Sequence, residues 1–110
     1  MNIQIFGKSK CFDTKKAERY FKERRIKFQR IDLLDVCLSR GEFNSVKSAV
    51  GMESMINGSA QGIELLTYLA YDADKEEKLL ENPVFLKTPI VRNGKKATIG
   101  YRPDVWKDWD

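Results

Sequence analysis

A lone cysteine stands in Lys8-Ser9-Lys10-Cys11-Phe12-Asp13-Thr14-Lys15-Lys16, after the apolar run Ile3-Gln4-Ile5-Phe6 and at the start of a helical pattern. A strand that hands over to a helix leaves unpaired backbone N–H groups and the positive end of the helix dipole at the junction. Lys8, Lys10, Lys15 and Lys16 add charge of the same sign. Such surroundings favour a thiolate over a thiol, which makes Cys11 the candidate nucleophile. The competing use of a free cysteine, as a small buried apolar residue, suits a less polar stretch. Thr14 is a candidate hydrogen-bond donor to the sulfur. The chain has no histidine. That excludes Ser-His-Asp and Cys-His catalysis, so any activation of Cys11 falls to cations and backbone dipoles. The second cysteine, Cys37, is too distant in sequence for a Cys-x-x-Cys pair, and with no histidine present no metal site is expected.

The elements that must position Cys11 follow from periodicity. Residues 2–6 suit a short strand and Gly7 permits a turn. Asp13 or Thr14 can cap the following helix, in which Ala17, Tyr20, Phe21 and Arg24 recur at helical spacing to about Arg25. Phe28, Ile31 and Leu33 allow a second strand, completing a βαβ unit with parallel strands. Parallel strands end on one edge, so Cys37 emerges on the same side as Cys11. Within Leu34-Asp35-Val36-Cys37-Leu38 it reads as semi-buried rather than as a resolving thiol.

Three short helices are predicted next. Ser39-x-x-Glu42 resembles a capping box, and Phe43, Val46 and Val50 continue to a stop at Gly51. Ile63, Leu65, Leu66, Leu69 and Ala70 form a second apolar face, and Asp74 caps a third helix, whose Glu76, Glu77 and Glu81 read as a solvated face with Lys75 and Lys78. Asn93-Gly94 predicts the two-residue turn of a hairpin that Pro89 opens. Pro103 then starts a last helix whose Trp106 and Trp109 close the core. The fold class is α/β: a βαβ unit, a helical insertion and a ββα unit around a mixed four-stranded sheet, in one domain spanning residues 1–110.

Size and charge agree with that reading. At 110 residues the chain suits one core, and no apolar run approaches the ~20 residues of a membrane helix. With no signal-peptide pattern, a cytoplasmic location is expected, where cysteines rest as thiols. The net charge of +4 is uneven, with ten Lys/Arg against three Asp/Glu in residues 1–30. The basic stretch lacks the interleaved aromatics of a single-strand platform, so a solvated helix face is expected and nucleic acid is not.

The order of elements resembles a thioredoxin-like fold with a helical insertion, and three segments make the resemblance specific. These are Ser9-Lys10-Cys11 with Thr14-Lys15-Lys16-Ala17, Asn82-Pro83-x-Phe85-Leu86-Lys87-Thr88-Pro89-Ile90-Val91, and Ile99-Gly100-Tyr101-Arg102-Pro103-Asp104. Together they resemble the arsenate reductase-type family, which also contains the Spx-type transcription regulators. The resemblance implies that Cys11 is the nucleophile, that Pro89 is the proline usually cis beside the site, and that Arg102 serves in oxyanion binding. It also implies an external thiol reductant of the glutathione or thioredoxin type, no bound cofactor, and a small oxyanion or a thiol/disulfide as substrate, with a redox protein as a further partner and the chain itself a monomer.

Two departures bear on substrate. Thr88 stands where an arginine precedes the proline in glutaredoxin-linked arsenate reductases, and residues 53–73 contain no Lys or Arg. Charge-assisted contacts are among the stronger polar interactions, so arsenate binding is expected to be weak, with Lys10 or Lys87 as point charges only. Spx-type members carry Cys-x-x-Cys, whereas here Thr14 takes the second position. The expected activity is therefore a thiol-based reduction at Cys11, with Lys10, Thr14, Thr88, Pro89 and Arg102 lining the site. The alternative is an Spx-like interaction module without turnover; a family member that keeps the fold without chemistry is a third reading.

Overall fold

The computed structural model describes residues 1–109. Its elements run β1 (Ile3–Gly7), α1 (Phe12–Glu23), β2 (Phe28–Asp32), α2 (Arg40–Val50), α3 (Met52–Met55), a 3₁₀ segment (Ile63–Tyr68), α4 (Asp72–Glu81), a 3₁₀ turn (Pro83–Phe85), β3 (Ile90–Asn93), β4 (Lys96–Ile99) and α5 (Pro103–Trp106). The sheet order is β2-β1-β3-β4, with β1 and β2 parallel and the other two pairings antiparallel. This is the mixed four-stranded sheet that the element order predicts.

Alternation along β1 divides the core in two. Ile3 and Ile5 face α1 and α5, packing with Ala17, Phe21, Val91 and Trp106, while Phe6 faces the other way into a larger cluster with Phe43, Val46, Met55, Leu79 and Ile90. Each fully buried side chain of this size contributes about 1.5–3 kcal/mol relative to exposure. Trp106 closes the first cluster against Tyr20 and Phe21, with ring centroids 5.2 and 5.1 Å away. Its indole N–H donates to the Thr98 hydroxyl at 2.7 Å.

Several local expectations hold. Ser39 and Glu42 form a reciprocal capping box, Gly51 ends α2 at φ +85°, and Pro103 opens α5.

Others are corrected. Neither Asp13 nor Thr14 caps α1; the N-cap is Cys11, extended at φ −86° and ψ 117°, because Thr14 is already inside the first turn with its side chain buried. The hairpin loop is Gly94-Lys95, one residue later than Asn93-Gly94 suggests. Asn93 stays in β3, paired with Lys96, and its side chain accepts from the Asn2 N–H at 3.2 Å. Gly94 takes the positive φ, +61°.

The segment read as the second helix is 3₁₀. Its repeat of three aligns Ile63, Leu66 and Leu69 toward the core and leaves Leu65 and Tyr68 exposed. Glu76 is not part of a solvated face. Its side chain is only 12% exposed, and it ties α4 to α2 through Lys47 and, at 3.6 Å, Arg40. Cys37 is exposed rather than semi-buried, because the loop after β2 turns outward there.

Candidate functional site

Strand β1 ends at Gly7, and the four-residue link Lys8–Cys11 delivers the cysteine to the N-cap of α1. The link is held in place at both ends. The Cys11 N–H donates to the Lys8 carbonyl at 3.0 Å, and the Lys8 ammonium crosses to the Leu86 carbonyl at 2.9 Å. Thr88 approaches from the strand side. Its carbonyl oxygen lies 3.6 Å from Cys11 Sγ and accepts from the neutral thiol. The Thr88–Pro89 peptide is cis, and the Pro89 carbonyl accepts from the Gly100 N–H at 2.8 Å.

Burial pushes the Cys11 thiol up. Hydrogen bonds from the Thr14 and Thr88 hydroxyls, and then from the Thr14 and Asp13 N–H groups, outweigh it, and the thiol ionises below its ordinary range. The two hydroxyls lead, and the two N–H groups that follow are ones a helix N-terminus leaves unspent. Thr14 Oγ1 is buried and makes no conventional hydrogen bond with the neutral thiol or any other group, so its proton is free for the thiolate. Two opposed effects act on Lys8: burial lowers its pKa, and the Cys11 thiolate beside it partly restores it.

Cys11 opens onto a depression of about 470 Å³ lined by Lys8, Ser9, Lys10, Leu34, Asn57, Val84 and Thr88. Leu34 and Val84 are exposed there, and Phe12, next to Cys11, is 78% exposed. Lys10, Cys11 and Thr88 thus share one cavity, with Thr14 below the sulfur and Pro89 behind Thr88. Arg102 is elsewhere. It lines a separate depression with Ser54, Lys87 and Thr98, and its guanidinium makes two 3.2 Å hydrogen bonds to the Asp104 carboxylate. That guanidinium holds Asp104 below the usual carboxylate range. Cys37 does not line the Cys11 depression.

Leu34, Asn57 and Val84 were not among the site residues read from sequence. The only signal of Leu34 and Val84 is an apolar residue near turn residues, and that of Asn57 is a place in the turn Ile56-Asn57-Gly58-Ser59, and these do not point to one place until the chain is folded.

The ArsC family model matches residues 6–109. The chain belongs to the ArsC family. Among curated relatives it is 29% identical over 110 residues to global transcriptional regulator Spx 2 of Oceanobacillus iheyensis, covering 94% of this chain and 80% of that protein. Among solved structures it resembles the arsenate reductase from Vibrio cholerae, with a TM-score of 0.82 at 21% identity over 94% of this chain and 92% of that one. A more distant likeness, TM-score 0.54 at 16% identity, covers 100% of this chain and 96% of the glutaredoxin-like protein NrdH-redoxin from Escherichia coli. The fold of this ArsC-family chain is thioredoxin-like. Among the described residues no helix is long and apolar enough to cross a membrane.

Proposed function

We propose that this ArsC-family protein is a thiol-based oxidoreductase whose Cys11 thiolate attacks a disulfide. The observation that carries the reading is the set of donors converging on one sulfur: the Thr14 and Thr88 hydroxyls and two backbone N–H groups at the start of α1. The thiolate forms a bond to one sulfur of the substrate disulfide while the other leaves as a thiolate and takes a proton from water. Cys11 is then oxidised to a mixed disulfide and the released sulfur is reduced. A second thiol from outside, of the glutathione or thioredoxin type, attacks that mixed disulfide and restores Cys11.

An oxyanion such as arsenate is the weaker candidate. Arg102 is spent on Asp104 and does not line the Cys11 depression, while Thr88 brings a hydroxyl where an arginine would bring a fork of donors. The wall formed by Leu34 and Val84 suits an apolar body carrying a sulfur better than a small hydrated anion. We place the reaction in the cytoplasm, with no resident cofactor.

A second reading has an observation of its own. The curated relative is named as a transcriptional regulator, which favours an interaction module, while Thr14 departs from the Cys-x-x-Cys of the Spx-type members. Labelling with iodoacetamide near neutral pH separates the two. Cys11 reacting well ahead of the exposed Cys37 supports the oxidoreductase; slow and equal labelling removes it.

A further inference from the structure

The stretches of chain that supply the two helical layers carry opposite charge. The layer of α2, α3 and α4 is built from residues 31–81, which hold ten Asp/Glu against four Lys/Arg, whereas residues 1–30, which include α1, hold ten Lys/Arg against three Asp/Glu. Along α1 the buried Thr14, Ala17, Tyr20 and Phe21 set which face is inward. The opposite face presents Lys15, Arg19 and Lys22 in a row of about 10 Å, all exposed. None of the three has a carboxylate partner among the described residues. Of the acids on α1, Glu18 neighbours Lys15 and Lys22 but is engaged by Arg30, Glu23 neighbours Arg19 with no ion pair among the described residues, and Asp13 lies on another side of the helix. At its upper end the row meets Phe12, whose exposed ring lies 5.9 Å from the Lys15 ammonium, and Phe12 adjoins Cys11.

A cationic ridge that runs into an apolar rim around a nucleophilic sulfur has a definite complement. We propose that Lys15, Arg19 and Lys22, continuous with Phe12, Leu34 and Val84, form the docking surface for an acidic segment of a protein that presents a disulfide to Cys11. The inference rests on the oxidoreductase reading for the identity of the reacting group. A carboxylate at each turn of a partner helix repeats every ~5.4 Å, close to the spacing of the three cations. Nucleic acid supplies negative charge but no sulfur for Cys11. Of the tyrosines beside the ridge, Tyr20 is closed to base stacking, buried under Arg24 at 3.7 Å from the ring centroid.

The test uses the full chain with Cys37→Ser, and two short peptides whose single cysteine is activated as a thiopyridyl disulfide. One carries three Glu at one-turn spacing beside the cysteine; the other carries Gln there. Thiopyridone release at ~20 mM salt is expected to be about tenfold faster with the Glu peptide, and the preference should vanish near ~0.5 M salt. In Lys15→Glu/Arg19→Glu/Lys22→Glu the preference, taken as the ratio of the two peptide rates so that any change in Cys11 reactivity from the loss of Lys15 cancels, should disappear or invert, while neutral dithiodipyridine reacts with Cys11 of the Cys37→Ser chain that keeps all three cations.

Equal rates for the two peptides, or a preference the triple variant keeps, would overturn the docking surface and leave the oxidoreductase reading standing. If dithiodipyridine fails to react, the oxidoreductase reading falls instead. The surface is then decided by anisotropy titration of unactivated peptides against Cys11→Ser/Cys37→Ser: selective binding of the Glu peptide, lost on charge reversal, supports it, and no selectivity overturns it. A single-stranded oligonucleotide bound more tightly than the Glu peptide, or self-association abolished by the triple variant, assigns the ridge to another occupant and overturns the proposal.

Discussion

Gly7 and Thr14 are in such close approach that a Cβ on Gly7 would lie 2.2 Å from Thr14 Cγ2 and 2.7 Å from Thr14 Oγ1. The glycine ending β1 is what lets the first turn of α1 sit down on the strand, and so what brings the Thr14 hydroxyl beneath Cys11. Gly7→Ala is therefore expected to destabilise the protein by about 1–3 kcal/mol through overpacking and to raise the Cys11 pKa. Adding Thr14→Ala should recover much of the stability without restoring thiol acidity. Urea denaturation and alkylation rates measured around this double-mutant cycle check both parts.

Thr14→Val separates the hydroxyl from the packing. The wild-type thiol is expected to alkylate with a midpoint below the ordinary cysteine value of about 8.5, and Thr14→Val should move it upward. An unmoved midpoint would assign the acidity to the backbone N–H groups and Thr88 alone.

The lowered Cys11 pKa also fixes the sign of a pH effect on stability. A group that ionises more easily folded than unfolded contributes stability that is full above its unfolded pKa and is lost as pH falls through the folded one. The burial-lowered pKa of Lys8 acts in the same direction, since its charged form is disfavoured in the fold. In a Cys37→Ser background, the stability advantage over Cys11→Ser should grow with rising pH through the alkaline side of neutrality and then level off. Denaturant melts across that range measure it.

Glu76 joins two helices from a mostly buried position, so Glu76→Gln is expected to cost roughly 1–2 kcal/mol, against nearly nothing for the exposed Glu77→Gln. Thermal unfolding of the two variants gives the comparison.

Arsenate reduction by the wild type should be weak with either type of reductant. Thr88→Arg, which supplies one guanidinium beside Cys11, should raise it. Full activity in the wild type would show that the lysines suffice.

Much of this was legible in the chain itself. The 3.6-residue pattern of Ala17, Tyr20 and Phe21, the Ser39–Glu42 box and the punctuation by Gly51 and Pro103 are local signals, and local signals specify local structure. Where the reading slipped, a non-local contact had decided. Asn93 was drawn into β3 by its partners, Thr14 left the capping role because its side chain is wanted under Gly7, and Glu76 was recruited by α2. The arrangement of Arg102 is instead decided by a local partner, a carboxylate two residues on. Its motif was plain in the sequence, but its short bond to Asp104 and its place outside the Cys11 cavity belong to the C-terminal turn.

The amino-acid order by itself determined that one sulfur would begin a helix after a strand, that no imidazole would assist it, and that cations would crowd the same stretch. Those are matters of residue type and spacing. Only the tertiary structure decided which groups meet that sulfur. Thr88 arrives from 77 positions away, and Leu34 and Val84 come from two unrelated turns. Their convergence depends on strand register and on close packing across a glycine, and neither is written in any single stretch of chain.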